Sequence, residues 1–348
     1  PARKKILTEP LEGREYVEEK LVTFVRHQAV GEAILKSVDL REKGQFDKIE
    51  KLVKSAIEIG LNEDGESYDY FARNQERAEE RLDRASGKMP PTGITTGIHR
   101  MDELLYHKGW GKKELTTIMG GAKAGKTTAL INFAKSASLA GHNTLYVTLE
   151  VSARIISERL DASISDTMVK LLDSNIHDVK AKIAAAEAKA GKLLLNEFPS
   201  GTLKPSMLRK LLEKYRSKGI VFDLVVVDYA DIMAPDFRTD NVIENSKSVY
   251  VDLRAIASEF NVAMLTATQT NREGYKATVA KAEHVAEDFN KVRTVDLMIS
   301  INKTEEEAAR GEARLYFAAS RNQESGFTIF IKQDLAKMQF VTSILKVE

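Results

Sequence analysis

One run of eight residues carries the clearest chemistry in the chain. Gly120, Gly121, Ala122, Lys123, Ala124, Gly125, Lys126 and Thr127 satisfy the spacing G-x-x-x-x-G-K-[ST]. Glycines at both ends let successive backbone amides turn toward a phosphate chain, and a helix that starts at the loop adds the positive potential of its N-terminus. The expected ligand is ATP: Lys126 would meet its β and γ phosphates, Thr127 would ligate Mg2+, and Thr128 would close the nucleotide-binding set.

The other groups that phosphoryl transfer requires stand at the ends of apolar runs. The run Asp223 to Asp228 ends in a carboxylate, the place for an acid that holds the magnesium shell. Asp228 is the choice, with Asp231 the weaker competitor and a turn cap the plainer alternative. Thr144 to Leu149 is followed by Glu150, which could orient or deprotonate the attacking water or could simply be a solvated capping residue. Val262 to Thr268 leads to Gln269, either a surface amide or a group that bonds the γ-phosphate and signals its loss to the next loop. Arg321 follows the run Arg314 to Ala319 and could stabilise transition-state charge; taken alone it reads as a surface arginine.

These residues must be positioned by strands and helices in alternation. Short apolar runs at Leu115 to Met119, Thr144 to Leu149, Leu193 to Glu197, Asp223 to Asp228, Val262 to Thr268 and Leu297 to Ile301 are separated in several places by helical stretches. That rhythm predicts an α/β fold, a mostly parallel sheet flanked by helices. After Lys303 strand follows strand, at Arg314 to Ala319, Phe327 to Ile331 and Met338 to Thr342, which predicts an antiparallel C-terminal edge. Residues 14 to 86 instead repeat apolar positions at helical spacing, among them Val17, Leu21, Val25 and Ala29, and predict an all-α N-terminal region. A second helix is expected over Ile49 to Ile59, a turn over Asn62 to Ser67, and a sparsely apolar helix over Tyr70 to Ala85. Pro90 and Pro91 end it, so the expected domains are 1–69, a helical region; 70–90, a linker helix and hinge; and 91–348, the nucleotide-binding domain.

Composition narrows the setting. The 348 residues are 43% hydrophobic and 30% charged, and no apolar run approaches the roughly 18 residues of a membrane span. A soluble protein is expected. A net charge of +1 excludes the overall basic footprint of a protein that coats nucleic acid, so any such contact must be local. Without cysteine there is no disulfide framework, thiol nucleophile or cysteine zinc site. The N-terminus lacks the apolar stretch of a secretory signal, and together with ATP chemistry this favours the cytoplasm.

Taken in order over roughly residues 90 to 345, the segments resemble the RecA-like motor domain of DnaB-type replicative helicases, phage and plasmid members included. The resemblance rests on Pro91-Thr92-Gly93-Ile94 and Met101-Asp102-Glu103-Leu104 ahead of the P-loop, then Thr148-Leu149-Glu150-Val151-Ser152, then Val226-Val227-Asp228-Tyr229 with Ile232-Met233. It continues through Leu253-Arg254-Ala255-Ile256-Ala257 to Thr268-Gln269-Thr270-Asn271-Arg272, and ends at Arg321-Asn322 and Gly326. It implies that Glu150 is the catalytic glutamate, Asp228 the Walker B acid, Gln269 the phosphate sensor and Arg321 a finger acting on a neighbouring subunit's ATP. It also implies a homo-oligomeric ring, usually of six, with residues 70 to 86 as a linker packed on the adjacent subunit. A helicase loader or primase is a further partner, and the bacterial cytosol or a phage-infected cell is the place. Two positions depart from the pattern: Ala319 stands where the family usually carries lysine, and Gln323 where it carries glycine.

In such a ring, single-stranded DNA passes through the centre, gripped by the loops behind the Walker B and sensor strands. Those loops are expected at about Ala234 to Lys247, with Arg238 and Lys247, and about Asn271 to His284, with Arg272, Lys276 and Lys281; Tyr275 could stack on a base. The expected function is an ATP-dependent DNA helicase for replication. A RecA-type recombinase that forms filaments and a regulatory ring ATPase that does not translocate stay open beside it.

Overall fold

The computed structural model describes residues 14–42, 44–58, 68–271, 273–274, 277, 279–286 and 290–348. The chain divides into two compact units, Pro1–Met89 and Pro90–Glu348. The division falls between Met89 and Pro90 and leaves residues 70–89 with the N-terminal unit.

In that first unit, helix α1 (Arg14–Glu42) turns at Gly44 and packs against α2 (Phe46–Glu58). The turn expected over Asn62 to Ser67 lies outside the described residues. Helix α3 spans Asn74–Ala85, shorter than expected because residues 70–73 form a turn that Asp69 caps through its bonds to the Phe71 and Ala72 amides. No residue of α3 is buried, and Tyr70, Phe71 and Leu82 are exposed. Twelve residues with no packed face make a marginal helix in water.

The second unit opens with α4 (His99–Leu104) and is built on one sheet of nine strands. Its elements run β1 (Leu115–Gly120), α5 (Lys126–Leu139), β2 (Thr144–Thr148), α6 (Ala153–Ser165), α7 (Ile176–Glu187), β3 (Leu193–Glu197), α8 (Pro205–Ser217), β4 (Leu224–Asp228), α9 (Val242–Glu259) and β5 (Ala263–Gln269). After these come α10 (Asn290–Thr294), β6 (Leu297–Asn302), α11 (Glu305–Ala309), β7 (Glu312–Ser320), β8 (Thr328–Asp334) and β9 (Gln339–Val347). The strand order is β3-β2-β4-β5-β1-β6-β7-β8-β9. Pairing is parallel from β3 across to β6 and antiparallel from β6 to β9, the sheet the sequence predicts.

The strands read as unbroken apolar runs because both faces are covered. Val226 of β4 belongs to a core with Ile118, Leu130, Phe133 and Tyr146 under α5 and α6. Its neighbours Val225 and Val227 point the other way, into a core with Leu212, Tyr250 and Leu253 under α8 and α9. With both faces filled, only the strand ends are open to a ligand, and the carboxyl ends of β1, β2, β4 and β5 lie along one edge.

A partly buried cation lies beside the first of these cores. Lys135 of α5 donates to Ser163 Oγ of α6 at 2.8 Å, to Asn132 Oδ1 at 3.2 Å and to Gln339 Oε1 of β9 at 3.3 Å. Burial among these neutral acceptors pushes its ammonium down to about 8, against the weaker pull of Asp166. The unfolded chain, near 10.4, holds the proton longer, so the folded form gains stability as pH rises from 8 toward about 10. Relative to Lys135→Met, the wild type should gain about 2 kcal/mol between pH 7 and pH 9.5. Denaturant unfolding followed through Trp110, the chain's single tryptophan, reads this unit; a pH-independent difference would contradict the assignment.

Candidate active site

The phosphate loop is shaped by its backbone. Lys123 and Gly125 have left-handed φ of 59° and 104°, which turn the chain between β1 and α5. Gly120 allows the loop to close over the strand end, since a Cβ there would meet the Ala124 methyl at 3.1 Å. Lys126 lies across the loop and donates to the carbonyls of Gly120 at 2.9 Å and Gly121 at 3.0 Å. Burial lowers its pKa, and the charges of Asp228, Asp231 and Glu150 oppose that. Gly121, Ala122 and Ala124 also line a cavity of about 380 Å3. Thr128 is buried in the first turn of α5, so its side chain belongs to the core side of the cradle.

Asp228 and Thr127, 101 residues apart, meet here. The Thr127 hydroxyl donates to Asp228 Oδ1 at 3.4 Å, and the Tyr146 hydroxyl donates to Oδ2 at 2.8 Å. Asp228 is only 1% exposed, and burial raises its pKa; the two hydroxyl bonds and Lys126 work against this, while Glu150 adds to it. A threonine hydroxyl and one carboxylate, with the rest of the shell supplied by phosphate oxygens and water, is a donor set that fits Mg2+. Among the described residues no group of three or more histidine or acidic side chains is placed to hold a metal ion.

Asp231, the competitor for that role, is committed elsewhere. It accepts from Lys291 Nζ at 2.8 Å, from the hydroxyls of Tyr250 at 2.7 Å and Thr268 at 2.8 Å, and from the Gln269 amide at 3.2 Å. The last two bonds fix the end of β5. Gln269 is thereby held directly opposite Gly120, and its side-chain amide donates to the Tyr229 hydroxyl at 3.0 Å.

Glu150 lies just past β2, beside β4, and is exposed. Both sides of its corner are pinned: Thr148 Oγ1 donates to the Val151 carbonyl at 2.5 Å, and Ser152 and Glu197 accept from the first amides of α6. Its charge acts on both Lys126 and Asp228. Lys126, Thr127, Asp228, Glu150 and Gln269 are thus gathered at one edge of the sheet.

Arg321 is not among them. Ser320 pairs with Leu297 at the start of β6, whereas Gly120 pairs with Ile301 near its end, so Arg321 lies roughly 15 Å from its own phosphate loop at about 3.3 Å per strand residue. It forms an ion pair with Asp296 at 3.3 Å and donates to the carbonyls of Val295 and Arg293. Within one chain it cannot act on the nucleotide.

Of the residues expected to touch DNA, Arg238 and Lys281 are exposed in the segments behind β4 and β5. Lys247 requires a correction: it is not in a loop. The Asn241 side chain accepts from the Ile243 and Glu244 amides and starts α9 at Val242, so Lys247 stands in the second turn of that helix. Arg272, Tyr275 and Lys276 lie outside the described residues. Sequence reasoning missed Phe237, 81% exposed beside Arg238, as well as Tyr146, Tyr229 and Lys291. Their signals are weak, because an aromatic or a lone lysine inside an amphipathic run reads as packing.

Residues 93–286 match the family model of the DnaB-like helicase C terminal domain. The chain is 28% identical over 205 residues to the DnaB-like replicative helicase of Enterobacteria phage T4, covering 56% of this chain and 43% of the phage protein. It is 25% identical over 277 residues to the replicative DNA helicase DnaB of Mycoplasma genitalium, covering 75% and 58%. It therefore spans about half the length of the curated relatives it matches. In fold it is similar to a solved ATPase domain, with a TM-score of 0.68 at 16% identity over 80% of this chain and 100% of that one. It is also similar to a DnaB-like replicative helicase whose structure was described with its interactions with primase, with a TM-score of 0.64 at 15% identity over 94% and 77%. The RecA-like architecture expected from the sequence is the one observed.

Proposed function

Because the chain belongs to the DnaB-like helicase C-terminal domain family, we propose that it is the motor of a replicative DNA helicase, driven by ATP hydrolysis along single-stranded DNA. The observation that carries this is the convergence of Thr127 and Asp228 beside Lys126, with Glu150 and Gln269 on the flanking strands. In this reading Lys126 and the loop amides hold the phosphates, and Thr127 and Asp228 hold Mg2+. Glu150 takes a proton from the attacking water, and Gln269 senses the γ-phosphate next to Gly120.

The placement of Arg321 supports a shared site. An arginine at the far end of the sheet serves a nucleotide only if copies join head to tail, the type of contact that closes into rings. A ring of six is the family's usual form, and α3, with no buried face of its own, fits a linker that docks on the next copy. Single-stranded DNA would run past Arg238 and Lys281, with Lys247 reaching it from α9; Arg272 and Lys276, outside the described residues, belong to the same proposal. Loader or primase contacts, and a place in bacterial cytosol or an infected cell, complete the reading.

Strand displacement on a forked DNA, run alongside ATP turnover and electron microscopy, tests it. Closed rings that displace a strand only with ATP and Mg2+ are expected. Turnover without displacement would point to a regulatory ring, and open filaments on DNA to a recombinase.

A further inference from the structure

At the end of the sheet away from the phosphate loop, Lys113, Arg254, Arg293 and Arg321 line one cavity of about 500 Å3. The carboxylate between two of them, Asp296, is 5% exposed and fully engaged. It accepts from the Leu115 amide at 3.0 Å, from Arg254 at 2.8 and 3.0 Å, and from Arg321 at 3.3 Å. Asp296 therefore holds two guanidiniums in place and neutralises one charge, and the cavity keeps a positive excess.

Lys113 differs from its neighbours. Among the described residues its side chain has no hydrogen-bond or ion-pair partner. Its backbone is left-handed, with φ of 65°, in the tight turn where its amide donates to the Val262 carbonyl at 2.8 Å. A residue with a Cβ is disfavoured there and glycine is the natural occupant, so a purely structural turn gains nothing from lysine. Lys113 also cannot serve its own nucleotide, because β1 separates it from Gly120 by its full length, roughly 17 Å or more at about 3.3 Å per residue.

We propose that Lys113 is a second trans-acting cation, working with Arg321 on the polyphosphate bound in the next copy's loop. This rests on the shared-site reading above. The charge spread over the transferring phosphoryl oxygens needs more than one positive partner, and Ala319, two residues before Arg321, contributes none. Lys113 supplies it from the lining of the same cavity, with Asp296, itself gripped by Arg254, as the brace that holds Arg321 there.

The test is subunit mixing. Lys113→Gly removes the side chain and relaxes the left-handed backbone, so the fold is retained; ATP turnover should fall by on the order of tenfold, as for one charge-assisted hydrogen bond. Mixed with Lys126→Ala protein, it should recover turnover above either variant alone, because the intact loop of one copy then meets the intact Lys113 of the other. Arg321→Ala mixed with Lys126→Ala tests the shared site in parallel. If that pair recovers and the Lys113→Gly pair does not, or if Lys113→Gly turns over ATP at the wild-type rate, the proposal is overturned while the shared site stands. If neither pair recovers, the shared site fails and Lys113 with it. Weaker single-stranded DNA binding at unchanged ATP turnover would assign the cavity to DNA and also overturn the proposal.

Discussion

Glu150→Gln should lower ATP turnover by about a hundredfold to ten-thousandfold while nucleotide binding survives. The substitution keeps the shape of a side chain whose corner is fixed on both sides by the Thr148, Ser152 and Glu197 bonds, so the geometry of β2 and α6 does not change. What is lost is the proposed proton acceptor at the edge where Lys126 and Asp228 would hold the nucleotide and its metal. Electrostatics add a second readout. Glu150 raises the proton affinity of both Lys126 and Asp228, so its removal lowers both and leaves one fewer negative charge facing the triphosphate. Affinity for ATP should hold or tighten as turnover collapses. Phosphate release and binding of a fluorescent ATP analogue measure the two separately, and a variant that hydrolyses ATP at the wild-type rate would remove Glu150 from the mechanism.

The parts of this site that were legible in the sequence are those that chemistry requires to be contiguous or strand-terminal. The phosphate loop needs consecutive backbone amides, so Gly120 to Thr127 declares itself locally. Asp228, Glu150 and Gln269 each follow an apolar strand, and a parallel sheet delivers all such positions to one edge. Tyr146 was not legible, because its bond to Asp228 depends on the register of β2 on β4, and in sequence it is one more apolar residue of a buried strand. The same holds for Asp231 and Lys291, sixty residues apart with nothing local to link them. Lys247 was misplaced for the opposite reason: a local signal, the capping side chain of Asn241, was present and decides where α9 begins. The position of Arg321 against Asp296 needed the fold itself, because only the antiparallel turn of β7 on β6 carries it to the far end.

On the shared-site proposal, that far end bears on the phosphate loop as well. Asp296 accepts from the Leu115 amide, the first residue of the loop's own strand, and also grips Arg321. The strand that ends in one copy's ATP site thus begins at the group that would complete the next copy's site. A displacement of β1 by nucleotide has a covalent and hydrogen-bonded route to Arg321, and the double-mutant cycle of Asp296→Asn with Arg321→Ala on ATP turnover measures whether it is used.

Lys291→Met should destabilise the nucleotide-binding unit by about 3–5 kcal/mol. Lys291 is 0% exposed and Asp231 8%, with Nζ and Oδ1 2.8 Å apart, so removal of the ammonium leaves a carboxylate in the interior. The hydroxyls of Tyr250 and Thr268 and the Gln269 amide still donate to that carboxylate, and they set the lower end of the range. Replacing both partners, as Lys291→Met with Asp231→Asn, removes the uncompensated charge and should recover part of the loss, which separates the cost of a broken pair from the cost of lost packing. Unfolding in urea followed through Trp110 reports on this unit, and a single variant within about 1 kcal/mol of wild type would show that the pair does not hold it. The functional consequence is separable from stability. Asp231 fixes the end of β5 through Thr268 and Gln269, so the folded fraction of the Lys291→Met protein should bind ATP through an intact loop yet respond less to DNA, because the carboxylate that holds Gln269 opposite Gly120 is itself no longer held by Lys291.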